Sequence, residues 1–192
     1  YGEQSWYSEP GANILVTAHS DGGTPTYEGI TTTDITGNGG YDGGDVTHDF
    51  GGTSSATPLV SGVIALVLEA NPDLTWRDVQ NILVHSSRKN DANDSSWNVN
   101  GAGHDVSHKF GFGAVDAGAA VSLALNWSSS GEETNASFGP YTSNIEIDNG
   151  PSTWTEFNLS VPVDLRLESI DVVVDITHDA RGELDIVLES PS

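Results

Sequence analysis

The residues best placed to do chemistry lie in Gly51-Gly52-Thr53-Ser54-Ser55-Ala56-Thr57-Pro58, a glycine loop that empties into an apolar stretch with the length of a helix. A serine at such a junction gains twice. The unpaired N–H groups of a helix's first turn can hold an oxyanion, and the helix dipole favours the negative charge as it develops. Small neighbours let a substrate backbone come close. The chemistry would be acyl transfer through a serine nucleophile; the plainer alternative is that Ser54 or Ser55 is simply a helix N-cap.

Other chemistries have weaker support. Twenty-eight Asp and Glu residues make a glycosidase-type carboxylate pair easy to find, and equally easy to find by chance. The string Gly52-Thr-Ser-Ser-Ala56 lacks the final glycine of an esterase nucleophile elbow. The loop Gly37-Asn-Gly-Gly-Tyr-Asp-Gly-Gly-Asp45 hints at calcium but matches no complete calcium-loop signature, so a solvated turn is the preferred reading.

The elements that must position Ser54 follow from pattern. Residues 14–18 form a short apolar run suited to a buried strand, and 57–70 are apolar on almost every side, as a helix buried within a domain would be. Pro58 suits the first turn of that helix, where a missing N–H costs nothing. Thr75 is expected to cap a second helix running to about Ser86, with Asp78 completing a capping box and Leu74 stapling to Val79. Asp116 is expected to cap a third helix that carries Val121, Leu123 and Leu125 toward Trp127. Strand and helices together make an α/β domain over residues 1–127. Residues 128–143 have the Ser-, Gly- and Glu-rich composition of a linker, and 144–192 hold apolar/polar alternations at 144–147, 156–161, 169–176 and 183–188 that read as strands.

Composition narrows the classes. Apolar residues make up 36% of 192, enough for a folded core. The formal charge of −22 repels phosphates and anionic head groups, which excludes nucleic acid as a partner and argues against a membrane surface. No apolar run approaches the roughly 18 residues of a membrane span. The absence of Cys removes disulfides and thiolate chemistry. A first residue that is Tyr, and a last strand with nothing after it to pair, suggest an internal piece of a longer protein.

Gly52-Thr53-Ser54-x-Ala56-x-Pro58 resembles the active-site serine motif of subtilisin-like proteases. The string from Leu66 through Asn71-Pro-Asp-Leu-Thr-Trp-Arg-Asp-Val-Gln80, and Val106-Ser-His-Lys-Phe-Gly-Phe-Gly-Ala-Val-Asp-Ala117, resemble the kexin and furin branch in particular, as do Trp6-Tyr-Ser-Glu9 and Gly29-Ile-Thr-Thr-Thr-Asp34. Asp179-Ala-Arg-Gly-Glu-Leu-Asp-Ile-Val-Leu-Glu-Ser-Pro191 is similar to the P-domain of such enzymes. The resemblance implies the carboxyl-terminal part of a subtilisin-like α/β catalytic domain, then part of an all-β, jelly-roll-like P-domain. It implies Ser54 as the nucleophile of an exported or cell-surface serine endopeptidase that cleaves proteins or peptides after basic residues. It implies structural calcium, with Glu9 as a ligand. In that family the catalytic Asp and His precede the serine. Only His19 and His48 do so here, and neither has the family's His-Gly-Thr setting, so residues 1–192 are expected to lack the other two triad members and to be inactive alone. The rival is an inactive homologue that serves as a calcium-dependent extracellular binding or adhesion module; the intact Ser54 motif argues against it.

With a charge of −22, carboxylates repel one another in the compact state, and salt screens them over a Debye length of about 10 Å at 0.1 M and less above it. The melting temperature is therefore expected to rise from low salt to molar NaCl. A flat or falling series would show that the charge does not strain the fold.

Overall fold

The second helix shows how local chemistry builds this chain. Thr75 accepts from the Asp78 N–H while the Asp78 carboxylate accepts from the Thr75 N–H, a reciprocal capping box that starts α2 (Trp76–Ser86) where the sequence places it. The structure, a computed structural model, describes residues 2–22, 29–147, 154–164 and 166–189. It divides into two units, Tyr1–Glu132 and Glu133–Ser192.

In the first unit β1 (Ile30–Thr33) and β2 (Val46–Phe50) form an antiparallel pair whose register slips between Ile30 and Thr32. Then come α1 (Thr53–Ala70), α2, a short antiparallel hairpin of β3 (Asn98–Val99) and β4 (Asp105–Val106), and α3 (Ala117–Ala124) capped by Asp116. The core is helical. Val63 and Val67 of α1 and Val79, Ile82 and Leu83 of α2 meet Ala120 and Ala124 of α3. The two alanines lie four residues apart on one face, and their small size lets α3 sit close to both larger helices. Asn71, at the end of α1, ties the two ends together by donating to the Ala124 carbonyl at 3.0 Å.

Several expectations need correction. Residues 14–18 are not a regular buried strand: they are only partly buried and pair along one side with 112–115, through Phe112 N to Leu15 O (2.8 Å), Thr17 N to Gly113 O (2.9 Å) and Val115 N to Thr17 O (2.9 Å). An apolar run becomes a central strand only with neighbours on both sides. The first helix begins at Thr53, so Pro58 stands inside it and offers no N–H to the Ser54 carbonyl. α1 is also buried on one face only, with Leu59, Leu66 and Leu68 exposed. Its 18 residues are long and apolar enough by length and composition to cross a membrane, while Val63 and Val67 pack one face of it into the core cluster. The third helix, expected to carry Leu125, ends at Ala124, and Leu125 is its exposed C-cap.

In the second unit the alternating segments at 144–147, 156–161, 169–176 and 183–188 form no paired strand among the described residues. A short turn of 3₁₀-helix at Arg181–Glu183 is the one regular element among them. Alternation marks a face that could be buried; it does not supply the strand to bury it, and Val173 is 96% exposed. The turn expected after the last strand, at 190–192, lies outside the described residues.

The cations of the first unit are all engaged. Arg88 pairs with Asp116 (3.2 Å), Lys89 with Asp105 (2.7 Å), Lys109 with Asp94 (2.8 Å), and Arg77 donates to the Gly131 carbonyl at 3.0 Å. Hydrogen bonding to Lys109, then to Ser96, pulls the Asp94 carboxyl down to about 2. Lys89 also lies over the Trp97 ring, 5.2 Å from its centre, and Trp97 stacks on the buried Phe110.

Asp78 is fully buried. Burial opposes its charge, yet the Thr75 hydroxyl and N–H, the Ser130 N–H and the Trp127 indole outweigh that and hold the carboxyl far below its ordinary value. A depressed carboxyl stabilises the fold in full above its unfolded value of about 3.9 and loses that contribution as pH falls toward the folded value. Asp78→Ala should cost about 2–4 kcal/mol at neutral pH by leaving those donors unpaired. It should also flatten the acid side of the stability curve between about pH 5 and 2. Urea denaturation at pH 7 and pH 3 checks both; equal losses at the two values would mean that the charge is not what Asp78 contributes.

Candidate active site

Strand β2 delivers the chain to Gly51, and both glycines there are needed. A Cβ on Gly51 would collide with the Asp21 carboxylate. Gly52 has φ 75° and ψ 179°, a backbone region open essentially only to glycine. With Gly51 it turns the chain from strand to helix in two residues, which brings Ser54 to the second position of α1.

The two adjacent serines are then used differently. Ser55 is 2% exposed; its hydroxyl lies 2.8 Å from Ser20 Oγ and donates to the Gly52 carbonyl at 3.0 Å. Ser54 is exposed, and its hydroxyl has no hydrogen-bond partner among the described residues. One serine fastens the turn and the other keeps an unbonded, exposed hydroxyl.

The helix end beside Ser54 is left open. Gly52 brings no capping side chain, and the first turn of α1 holds no acidic residue. The starts of α2 and α3, by contrast, are closed by the Thr75–Asp78 box and by Asp116. First-turn N–H groups lack an acceptor in the regular helical pattern; the Ser55 N–H turns back to the Gly52 carbonyl at 3.1 Å, which leaves the Ser54 N–H and the positive end of the α1 dipole to meet an oxyanion.

No base stands beside this hydroxyl among the described residues. His48 lies on β2 with Nδ1 3.0 Å from Thr31 Oγ1, and His19 is exposed. His85 and His104 meet edge to face, their ring centres 4.7 Å apart, on helix α2 and the β3–β4 connection, and His108 gives its carbonyl to the Gly11 N–H at 2.8 Å. The structure thus brings together the serine, the open helix end and the small-residue loop, without a histidine or carboxylate in contact with Ser54.

Glu9 is exposed. Among the described residues no group of three or more His, Asp or Glu could hold a metal ion, so they do not complete a calcium cage around it. The acidic loop spends its carboxylates on its own backbone. Asp34 accepts from the N–H groups of Ile35 (2.8 Å) and Asp42 (2.9 Å), and Asp45 from Gly37 (3.2 Å). The Asp42 N–H leads in holding the Asp34 carboxyl below its ordinary value, against the opposing effect of desolvation.

Sequence reasoning missed the side chains behind the turn. Tyr7, Ser20 and Asp21 converge on Gly52, from 31 to 45 positions upstream of it. No spacing rule links residues that far apart in loops, although the glycine pair itself signals that something approaches closely.

The sequence profile of the subtilase family matches residues 4–113. Human furin is 35% identical over 198 residues, covering 100% of this chain and 23% of furin. The rat proprotein convertase subtilisin/kexin type 6 is 41% identical over 198 residues, with 100% and 20% covered. The serine protease of Aeromonas sobria superposes with a TM-score of 0.64 at 30% identity, over 68% of this chain and 29% of that one. The chain thus spans only about a quarter of the length of such relatives. On its serine turn and on these likenesses, the chain belongs to the subtilase family, within the kexin- and furin-like branch.

Proposed function

We propose that residues 1–192 belong to an exported, calcium-dependent serine endopeptidase of kexin-like type that acts through an acyl-enzyme on Ser54. Residues 1–127 would be the carboxyl-terminal part of its catalytic domain, 128–143 a linker, and 144–192 the start of a P-domain. The observation that carries the reading is the division of labour between neighbours: Ser55 is buried and bonded, while Ser54 is exposed and unbonded at an uncapped helix start. The P-domain assignment is supported by the alternation at 144–192 and by convertase relatives that match the whole chain, well past the end of the subtilase match at residue 113.

Ser54 Oγ attacks the scissile carbonyl carbon as a base takes its proton. The carbonyl oxygen becomes an oxyanion, steadied by the Ser54 N–H and the dipole of α1. The oxyanion collapses, the peptide C–N bond breaks, and the base returns the proton to the leaving amine. Water then attacks the Ser54 ester by the same route. The base and the group that orients it come from outside residues 1–192, so this segment alone is inactive. The preference for basic residues rests on the resemblance to the kexin and furin branch and on the attraction of a strongly acidic protein for cationic substrates.

A fluorophosphonate probe, which phosphonylates an activated serine, tests the central claim on the full-length protein. Labelling should map to Ser54. Ser54→Ala should lower turnover by on the order of a millionfold, the scale on which losing the nucleophile of a serine-protease triad acts, and Ser55→Ala far less. Equal losses would return the two serines to an open choice; no labelling at all would favour the inactive binding module.

Glu9 is proposed as one calcium ligand, with the other oxygens of its cage drawn from outside this segment. In the full-length protein Glu9→Gln should weaken calcium affinity and lower the calcium-dependent melting temperature, alongside its effect on activity. Calcium titration by calorimetry that gave the wild-type affinity would return Glu9 to the surface.

A further inference from the structure

Two consecutive glycines give the nucleophile turn its shape, and they also make it the least rigid stretch of backbone a protein can build. The stiffness has to come from elsewhere. It comes from a pair of residues on another loop: the Asp21 carboxylate accepts from the Gly52 N–H at 2.9 Å, and the Ser20 hydroxyl donates to the Gly52 carbonyl at 2.7 Å. Gly52 is thus gripped at both ends of its backbone, and Ser55 adds its own N–H (3.1 Å) and hydroxyl (3.0 Å) to the same carbonyl.

The grip is itself anchored. The Tyr7 hydroxyl bonds the Asp21 carboxylate and lies 3.0 Å from Ser20 Oγ and 2.8 Å from the Asp21 carbonyl, which also accepts from Ser5 Oγ at 3.0 Å. The Asp21 carboxylate and the Gly51 backbone touch so closely that no side chain fits between them. An N–H···O⁻ bond is about twice as strong as a neutral one, and here it acts on the residue that starts the helix.

We propose that Asp21 is a positioning residue for Ser54, fixing the Gly52 peptide so that the serine hydroxyl and N–H keep the geometry that attack requires, with Tyr7 holding Asp21 in turn. This rests on the reading of Ser54 as nucleophile. Asp21 stands behind the turn, makes its bond to the backbone before Ser54, and need not meet the substrate.

The test uses the full-length protease with Asp21→Ala, Asp21→Asn, Tyr7→Phe and the Tyr7→Phe/Asp21→Ala double variant. Active sites are titrated with a small fluorophosphonate, and the labelled serine is identified by mass spectrometry. A misplaced nucleophile costs up to about 100-fold. Asp21→Ala should therefore slow both Ser54 phosphonylation and kcat per titrated site by about 10- to 100-fold, with KM little changed. Asp21→Asn should recover most of the rate, because an amide oxygen still accepts from the Gly52 N–H. Tyr7→Phe should show a smaller loss of the same kind, and the double variant should be no slower than Asp21→Ala alone, as for two members of one chain of contacts. If Asp21→Ala does not fold, Tyr7→Phe decides. Unchanged rates per titrated site, or a loss seen only as fewer titratable sites, would overturn the proposal. Labelling of the wild type at a serine other than Ser54 would instead overturn the nucleophile assignment, whatever Asp21 does.

Discussion

A carboxylate taken out of water must find donors within the protein, and Asp78 finds them in two places. Thr75 supplies its N–H and hydroxyl from the start of α2, while Trp127, Ser129 and Ser130 supply an indole N–H, a hydroxyl and a backbone N–H from the chain that leaves α3. One buried charge therefore sets where α2 begins and where the segment after α3 must lie. With those fixed, Ala120 and Ala124 are held against Val67 and Ile82, and α1 is oriented by the core it helps to build. The position of Ser54 is a remote result of that constraint, because the helix it opens cannot turn without disturbing Val63 and Val67.

What could be read from the sequence was what local chemistry decides. Thr75 and Asp78 are three residues apart and make their capping bonds within one turn, so their pattern is visible in the chain itself. The same holds for Asp116 and the Ala119 N–H. The serine turn was legible through its residue types and the motif likeness singled out Ser54, but the burial that sets Ser55 apart was not, because it depends on Ser20 Oγ coming within 2.8 Å of it. The start of α1 was placed too late for a related reason. Pro58 looks like a first-turn residue, and only the turn at Gly52 allows a helix to begin ahead of it.

Where pairing is non-local, pattern fails. Residues 14–18 have the apolar content of a central strand but find a partner on one side, nearly a hundred positions away. The alternations beyond residue 144 describe a face without saying what covers it. Hydrophobic periodicity reports which atoms should leave water, and the identity of the neighbour is a property of the whole fold.

The pairing of the scarce cations bears on self-digestion. Under the proposed function, a preference for cutting after basic residues would meet a dibasic step within this segment, at Arg88-Lys89. To be cut, such a step must lie extended and loose in another molecule's cleft. Here the Arg88 N–H and carbonyl are both bonded to Ala114, at 2.9 and 2.8 Å, the Arg88 carbonyl lies so close to Gly113 that a side chain there would collide with it, and the two side chains are tied to Asp116 and Asp105. The most attractive internal site is thus guarded by backbone pairing, and only local unfolding of the 88–114 contact would expose it. Resistance to autolysis in this segment is then a matter of how often Arg88 lets go of Ala114.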